Sequence, residues 1–193
     1  MNQSISLLSL FSSILHVFLV LNFYGGVTVN GDIVRNFCKN EWIIDPYLNY
    51  DFCVSSLEAN PETKTSDIFG LAEISMELCL RNATYIHTYI EGILKDGKEE
   101  PRARMYLEDC MEFFSTAVEE VQEAVEAFNG KDYYNALRHV SNAGIEADTC
   151  KIGFTEAGVD FSLLKKQDYN FYQLTKISIK TIATIHDSKY YKI

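Results

Sequence analysis

The sequence predicts an all-α protein: an antiparallel up-down-up-down four-helix bundle preceded by an N-terminal helical hairpin, with two disulfides. Three observations predict it. Four long segments repeat apolar residues at three- and four-residue spacing, the period of a helix that buries one face. No segment alternates apolar and polar residues as a half-buried strand does. All three prolines, Pro46, Pro61 and Pro101, fall outside the stripes, as they must, because proline lacks an N–H and clashes with the preceding helical turn.

Residues 1–31 read as a signal peptide. They contain no Asp, Glu, Lys or Arg, and Ile5 to Phe23 is apolar apart from serines, His16 and Asn22. Val29 and Gly31 put small residues at the −3 and −1 positions, which places cleavage before Asp32. The competing reading is a membrane anchor, since a run of that length just spans a bilayer. The remaining chain has no second apolar span, so cleavage leaves a secreted protein with no membrane attachment.

Residues 32–62 form the predicted hairpin. Ile33-Val34 and Trp42-Ile43-Ile44 are short apolar clusters set around Cys38, Pro46 and Cys53. A piece this small cannot build its own core and needs a staple. A Cys38–Cys53 bridge supplies one, worth roughly 3 kcal/mol for a loop of about 15 residues.

Residues 63–193 hold the bundle and make one domain with the hairpin. The first stripe is Ile68, Ala72, Met76, Cys79, Ala83, Ile86, Ile90 and Ile93, with Ser66 or Asp67 as cap and Lys95-Asp96-Gly97 as stop. The second is Leu107, Cys110, Phe114, Ala117, Val121, Ala124 and Phe128, entered through Pro101 and closed by Asn129-Gly130. The third opens at Asp132 and carries Tyr133, Ala136, Val140, Ala143, Ala147 and Cys150. The fourth follows Asp168-Tyr169-Asn170 with Phe171, Leu174, Ile182 and Ile185, flanked by Ile177 and Ile179. Short connections make the first three antiparallel neighbours, while Gly153 to Asn170 wraps one end.

The five cysteines accord with export. If the second and third helices are antiparallel, Cys110 near the start of one lies beside Cys150 at the end of the other, so these two pair. Cys79 falls within a stripe and reads as a buried free thiol. Asn82-Ala83-Thr84 is a glycosylation sequon, with Asn82 as acceptor.

The formal charge of −10, from 17 Lys and Arg against 27 Asp and Glu, excludes an ordinary nucleic-acid binder. Half of it lies in residues 101–130, where seven acids face two arginines; this is either a docking face or a solvated outer face, and the second is the commoner arrangement. Catalytic, cofactor and metal signatures are missing. His87, His139 and His186 are never three or four residues apart. The positions three before them are Thr84, Ala136 and Ala183, not the Glu of a di-iron bundle. There is no phosphate loop, nucleophile elbow or C-x-x-C. The chain reads as a protein that is not an enzyme and needs no cofactor.

Several blocks resemble a known family. Asn49-Tyr50-Asp51-Phe52-Cys53-Val54-Ser55-Ser56-Leu57 is similar to the second-cysteine signature of the plant invertase and pectin methylesterase inhibitors. Leu71-Ala72-Glu73-Ile74-Ser75 and Arg81-Asn82-Ala83-Thr84 resemble its first bundle helix, and Tyr106-Leu107-Glu108-Asp109-Cys110 with Ala117-Val118 its third-cysteine helix. Asp148-Thr149-Cys150 with Gly153-Phe154 and Gln173 to Ser178 complete the series in order.

The resemblance implies a secreted inhibitor in the cell wall or vacuole. It would bind a plant acid invertase or a pectin methylesterase one to one and cover its active-site cleft. The alternative is a non-inhibitory secreted bundle with a pollen or storage role. The resemblance also implies Cys38–Cys53 and Cys110–Cys150, with Cys79 left over. Two departures stand out. Lys39 to Phe52 is longer than the usual tail of the hairpin, and the Pro-Lys-Phe motif of studied invertase inhibitors is replaced by Lys131-Asp132-Tyr133-Tyr134-Asn135. Asp132, Tyr133, Tyr134 and Asn135 are therefore the target-contact candidates. Tyr134, off the apolar stripe, is the better aromatic plug, whereas Tyr133 on the stripe favours the core.

Overall fold

A computed structural model describes residues 31–190, and the signal-peptide reading lies almost wholly outside that range. The described chain is helical throughout: α1 (Gly31–Ile44), α2 (Tyr50–Glu58), a 3₁₀ turn (Pro61–Thr65), α3 (Ile68–Asp96), α4 (Pro101–Asn129), α5 (Tyr133–Glu156) and α6 (Lys165–Tyr190). The four long helices form the bundle. Each packs on the helix next to it in sequence and α6 closes on α3.

Local chemistry sets the boundaries. Asp67 caps α3, its carboxylate accepting from the N–H groups of Phe69 and Gly70, both at 3.0 Å. Gly97, at φ 66°, ends α3 in the left-handed conformation that glycine adopts without a Cβ penalty. Pro101 takes the first position of α4, where its missing N–H costs nothing. Asp132 caps α5.

Two boundaries differ from the sequence reading. α5 continues six residues beyond Cys150 to Glu156 and stops at left-handed Gly158. α6 begins at Lys165, so Asp168-Tyr169-Asn170 lies inside it, and the expected long connection shrinks to residues 157–164. The physical reason is Asp168. It occupies the buried face of α6, 7% exposed, between Leu164 and Phe171, and so breaks the apolar stripe while the backbone continues, its N–H donating to the Leu164 carbonyl at 2.8 Å. At the end of α3, Leu94 is buried and Ile93 only partly so.

Two bridges form, Cys38–Cys53 within the hairpin and Cys110–Cys150 between α4 and α5. Cys79 is fully buried against α6, its sulfur 3.3 Å from the Ser178 hydroxyl, and burial pushes its thiol up to about 12 despite that hydrogen bond. A thiol so rarely ionised is a poor nucleophile. Native protein at pH 8 should take up no iodoacetamide, and unfolded, unreduced protein should take up one equivalent, read by intact mass. Rapid labelling of folded protein would contradict this burial.

The hairpin is clasped to the bundle by polar groups. Glu41 and Asp45, one turn apart on and just after α1, meet Lys180 and Lys176 of α6 at 3.5 and 2.5 Å. Gln173 bonds both ways, accepting from the Asn49 N–H at 2.7 Å and donating to the Tyr47 carbonyl at 2.9 Å. The hydrogen bond from Lys176 holds the Asp45 carboxyl below the usual aspartate value, though partial burial opposes it. For Lys176, burial works against the ammonium, but bonds to Asp45 and Tyr172 outweigh it and hold the group above the usual lysine value.

The signs follow from linkage. The Asp45 contribution is present above the unfolded aspartate pKa and fades as pH falls through the lowered folded value. That of Lys176 is present below the unfolded lysine pKa and fades as pH rises through the raised one. Asp45→Asn should therefore destabilise the protein across the neutral and mildly acidic range. The difference from wild type should close as pH falls through the lowered folded value of Asp45. Thermal melts at a series of pH values check this.

Candidate functional site

The target-contact candidates sit in the turn between α4 and α5. Three backbone bonds reverse the chain: Gly130 to Glu126, Lys131 to Phe128, and Asp132 to Ala127, at 2.9–3.0 Å. Lys131 adopts φ 61°, the strained left-handed conformation of this tight reversal. Asp132 then anchors the first turn of α5, accepting from the Asn135 N–H at 3.2 Å and from the Asn135 side-chain amide at 2.6 Å. Asn135 in turn accepts from Arg138 Nε at 3.2 Å. Both polar candidates are thus engaged in building the turn.

The two tyrosines part company. Tyr133 is 9% exposed, its ring 5.3 Å from Phe128 and 6.3 Å from Phe69, so the structure places it in the core at this end of the bundle. Tyr134 is 64% exposed. The arrangement is an exposed aromatic side chain projecting from a capped helix start.

Behind the turn, Glu120 of α4 receives His139 Nδ1 at 2.7 Å and the Asn142 amide at 3.2 Å, which ties α4 to α5. The other acids of α4 line its outer side in solvent. Burial and the charge of Glu120 raise the Glu146 carboxyl above its usual value. Among the described residues no group of His, Cys, Asp and Glu side chains could hold a metal ion, and no helix is long and apolar enough to cross a membrane. Asn82 lies in the middle of α3, between buried Cys79 and Ile86, with its side-chain oxygen buried and without a hydrogen-bond partner.

A second surface escapes the sequence motifs. At the C-terminal end of α1 and the turn after it, Trp42, Ile43, Ile44 and Tyr47 are 48%, 63%, 70% and 77% exposed. Beside them opens a cleft of about 590 Å³ lined by Trp42, Tyr47, Tyr50, Asp51, Tyr169 and Gln173 among others. The signal in the sequence is the Trp42-Ile43-Ile44 run, too apolar for a turn and belonging to no stripe.

The described residues thus make a disulfide-stapled helical bundle with exposed aromatic side chains at its turns. The chain belongs to the plant invertase/pectin methylesterase inhibitor family, whose profile matches residues 32–180, and it is an inhibitor-family protein rather than an enzyme. It is 39% identical over 151 residues to the "Putative invertase inhibitor" of Platanus acerifolia, covering 78% of this chain and 84% of that one. It is 29% identical over 163 residues to the "Cell wall / vacuolar inhibitor of fructosidase 1" of Arabidopsis thaliana, covering 84% and 72%. The fold is similar to the crystal structure of a mutant pectin methylesterase inhibitor from Arabidopsis, with a TM-score of 0.63, 24% identity, and coverage of 73% and 93%.

Proposed function

We propose that the protein is secreted to the cell wall or vacuole and inhibits an acid invertase, binding one to one and blocking the enzyme's active-site cleft. The observation that supports this target is the extent of likeness to relatives named as inhibitors of invertase and of fructosidase, which runs over most of both chains. Residues 1–31 act as the export signal in this reading, and Asn82 is its glycosylation acceptor. The contact centres on the α4–α5 turn, with Tyr134 as plug and Asp132 and Asn135 as the frame that presents it. Tyr133 supports the turn from beneath.

The pectin methylesterase reading rests on a specific sequence feature, the replacement of Pro-Lys-Phe by Lys131-Asp132-Tyr133-Tyr134-Asn135. A paired assay separates the two: oxidised protein titrated against an acid invertase and a pectin methylesterase. Inhibition of invertase alone supports the proposal. Inhibition of pectin methylesterase alone transfers the target, and inhibition of neither leaves the non-inhibitory secreted bundle.

Within the invertase reading, Tyr134→Ala should weaken inhibition by roughly 2 kcal/mol, about thirtyfold in the inhibition constant, as the loss of an aromatic hot spot does. Its thermal midpoint should stay close to wild type because the side chain is exposed. Unchanged inhibition would remove the turn from the interface.

A further inference from the structure

Two clefts meet on one flank of the molecule. The first, about 590 Å³, is walled by Trp42, Tyr47 and Tyr50 of the hairpin. The second, about 420 Å³, is walled by Phe161, Tyr172, Lys151 and Lys165. Tyr169 lines both, so the aromatic rings form a continuous trough that runs from the hairpin across α6 to the end of α5. Each half falls in the size range of small-ligand sites, roughly 300–1,000 Å³.

The rings are held in place. Tyr169 accepts a hydrogen bond from the Asn49 amide at 3.0 Å, and its ring meets Phe52 edge-on at 6.1 Å. The Lys176 ammonium, fixed by Asp45, stands 5.9 Å from the Tyr47 ring and 5.1 Å from the Tyr172 ring. Such contacts orient aromatic side chains before any ligand arrives.

Some polar groups of the trough, of both kinds, are left without a bond. Among the described residues no protein group bonds to the Trp42 indole N–H, the Tyr47 and Tyr50 hydroxyls or the Asp51 carboxylate. Charge is balanced: Lys176 is matched by Asp45, and Lys151 lies 3.5 Å from Asp168, which leaves Asp51 against Lys165. A ligand that suits this surface has flat apolar faces to lie on rings, hydroxyl edges that both give and accept hydrogen bonds, no net charge, and a linear shape. We propose that the trough binds a neutral saccharide chain, with its ring faces stacked on Trp42, Tyr47 and Tyr169 and its hydroxyls bonded to Asp51 and the tyrosine hydroxyls. This site is separate from the α4–α5 turn, and its test needs no target enzyme.

Trp42 is the chain's one tryptophan, so its emission reports on the trough alone. The oxidised protein is titrated with cellotriose, with trigalacturonate and with an arginine-containing tripeptide, and calorimetry gives a second readout. The expected result is a saturable emission change with millimolar cellotriose and none with the other two. Tyr47→Ala, which removes an exposed ring and should leave the circular dichroism unchanged, weakens cellotriose binding about fivefold, in line with one lost aromatic contact. Tyr134→Ala, at a turn outside the trough, leaves it unchanged.

The proposal is overturned if cellotriose gives no saturation, or if Tyr47→Ala binds it as wild type does. Saturation by trigalacturonate would overturn the neutral assignment, and saturation by the arginine peptide would make the trough a docking groove for a basic protein segment. Trp42 emission that depends on protein concentration, with a dimer by sedimentation, would assign the surface to a second copy of the chain.

Discussion

Replacing Cys110 and Cys150 together by alanine should lower the stability of the protein by roughly 4 kcal/mol, as expected from the 40-residue separation of the bridge. The bridge joins the first third of α4 to the last third of α5 with the Cα atoms 4.8 Å apart, so it restrains the unfolded chain across a whole helical reversal. Loss of Cys38–Cys53, whose separation is 15, removes roughly 3 kcal/mol in the same treatment, and its effect falls on a hairpin that is otherwise held by polar contacts and by the burial of Val34, Phe37, Leu48 and Leu57. Urea denaturation followed by circular dichroism measures both. A Cys110/Cys150 variant as stable as wild type would mean that the bridge adds no restraint to the unfolded ensemble.

Phe114→Ala should cost about 3–5 kcal/mol, the range for removing a fully buried phenylalanine. Phe114 of α4 is 1% exposed and its ring lies 5.7 Å from that of Phe171 on α6, which is 0% exposed. These helices are not sequence neighbours in the bundle, so the ring pair fills the centre between them, where no exposed side chain can fold in to replace the lost volume. The loss is a large share of the roughly 5–15 kcal/mol that stabilises a typical domain. The double variant with Phe171→Ala should lose less than the sum of the two single changes, because the second truncation enlarges a cavity already made. Denaturant midpoints for the two single variants and the double variant test this. Additive losses would show that the rings do not act together.

The paired effects explain which parts of the molecule tolerate change. Tyr134, Tyr47 and Trp42 can be altered with little cost to folding because they face solvent, and those are the positions assigned to binding. Phe114, Phe171 and Tyr133 face inward, and changes there alter the frame that presents the others.

The helices and most of their ends were legible in the sequence, because burying one face of a helix imposes a period that needs no knowledge of partners. The stripes from Ala72 to Ile90 and from Leu107 to Phe128 show it, as do the stop at Gly97 and the entry at Pro101. The Cys110–Cys150 bridge was legible for a similar reason, since short connections leave few ways to arrange neighbouring helices, whereas Cys38–Cys53 was read from a hairpin too small for its own core and from the family resemblance. The split between Tyr133 and Tyr134 also follows from period alone.

What only the tertiary structure decided concerns groups whose role depends on residues far away in the chain. Asp168 stands ahead of the fourth helix in the sequence reading but sits on the buried face of α6, where Lys151 of α5 comes within 3.5 Å of its carboxylate. The clasp of Glu41 and Asp45 on Lys180 and Lys176 joins residues more than 130 positions apart, a pairing that no local pattern encodes. The same holds for the aromatic trough. Trp42, Tyr50 and Tyr169 belong to three different helices, and they become one surface only when the hairpin docks on α6.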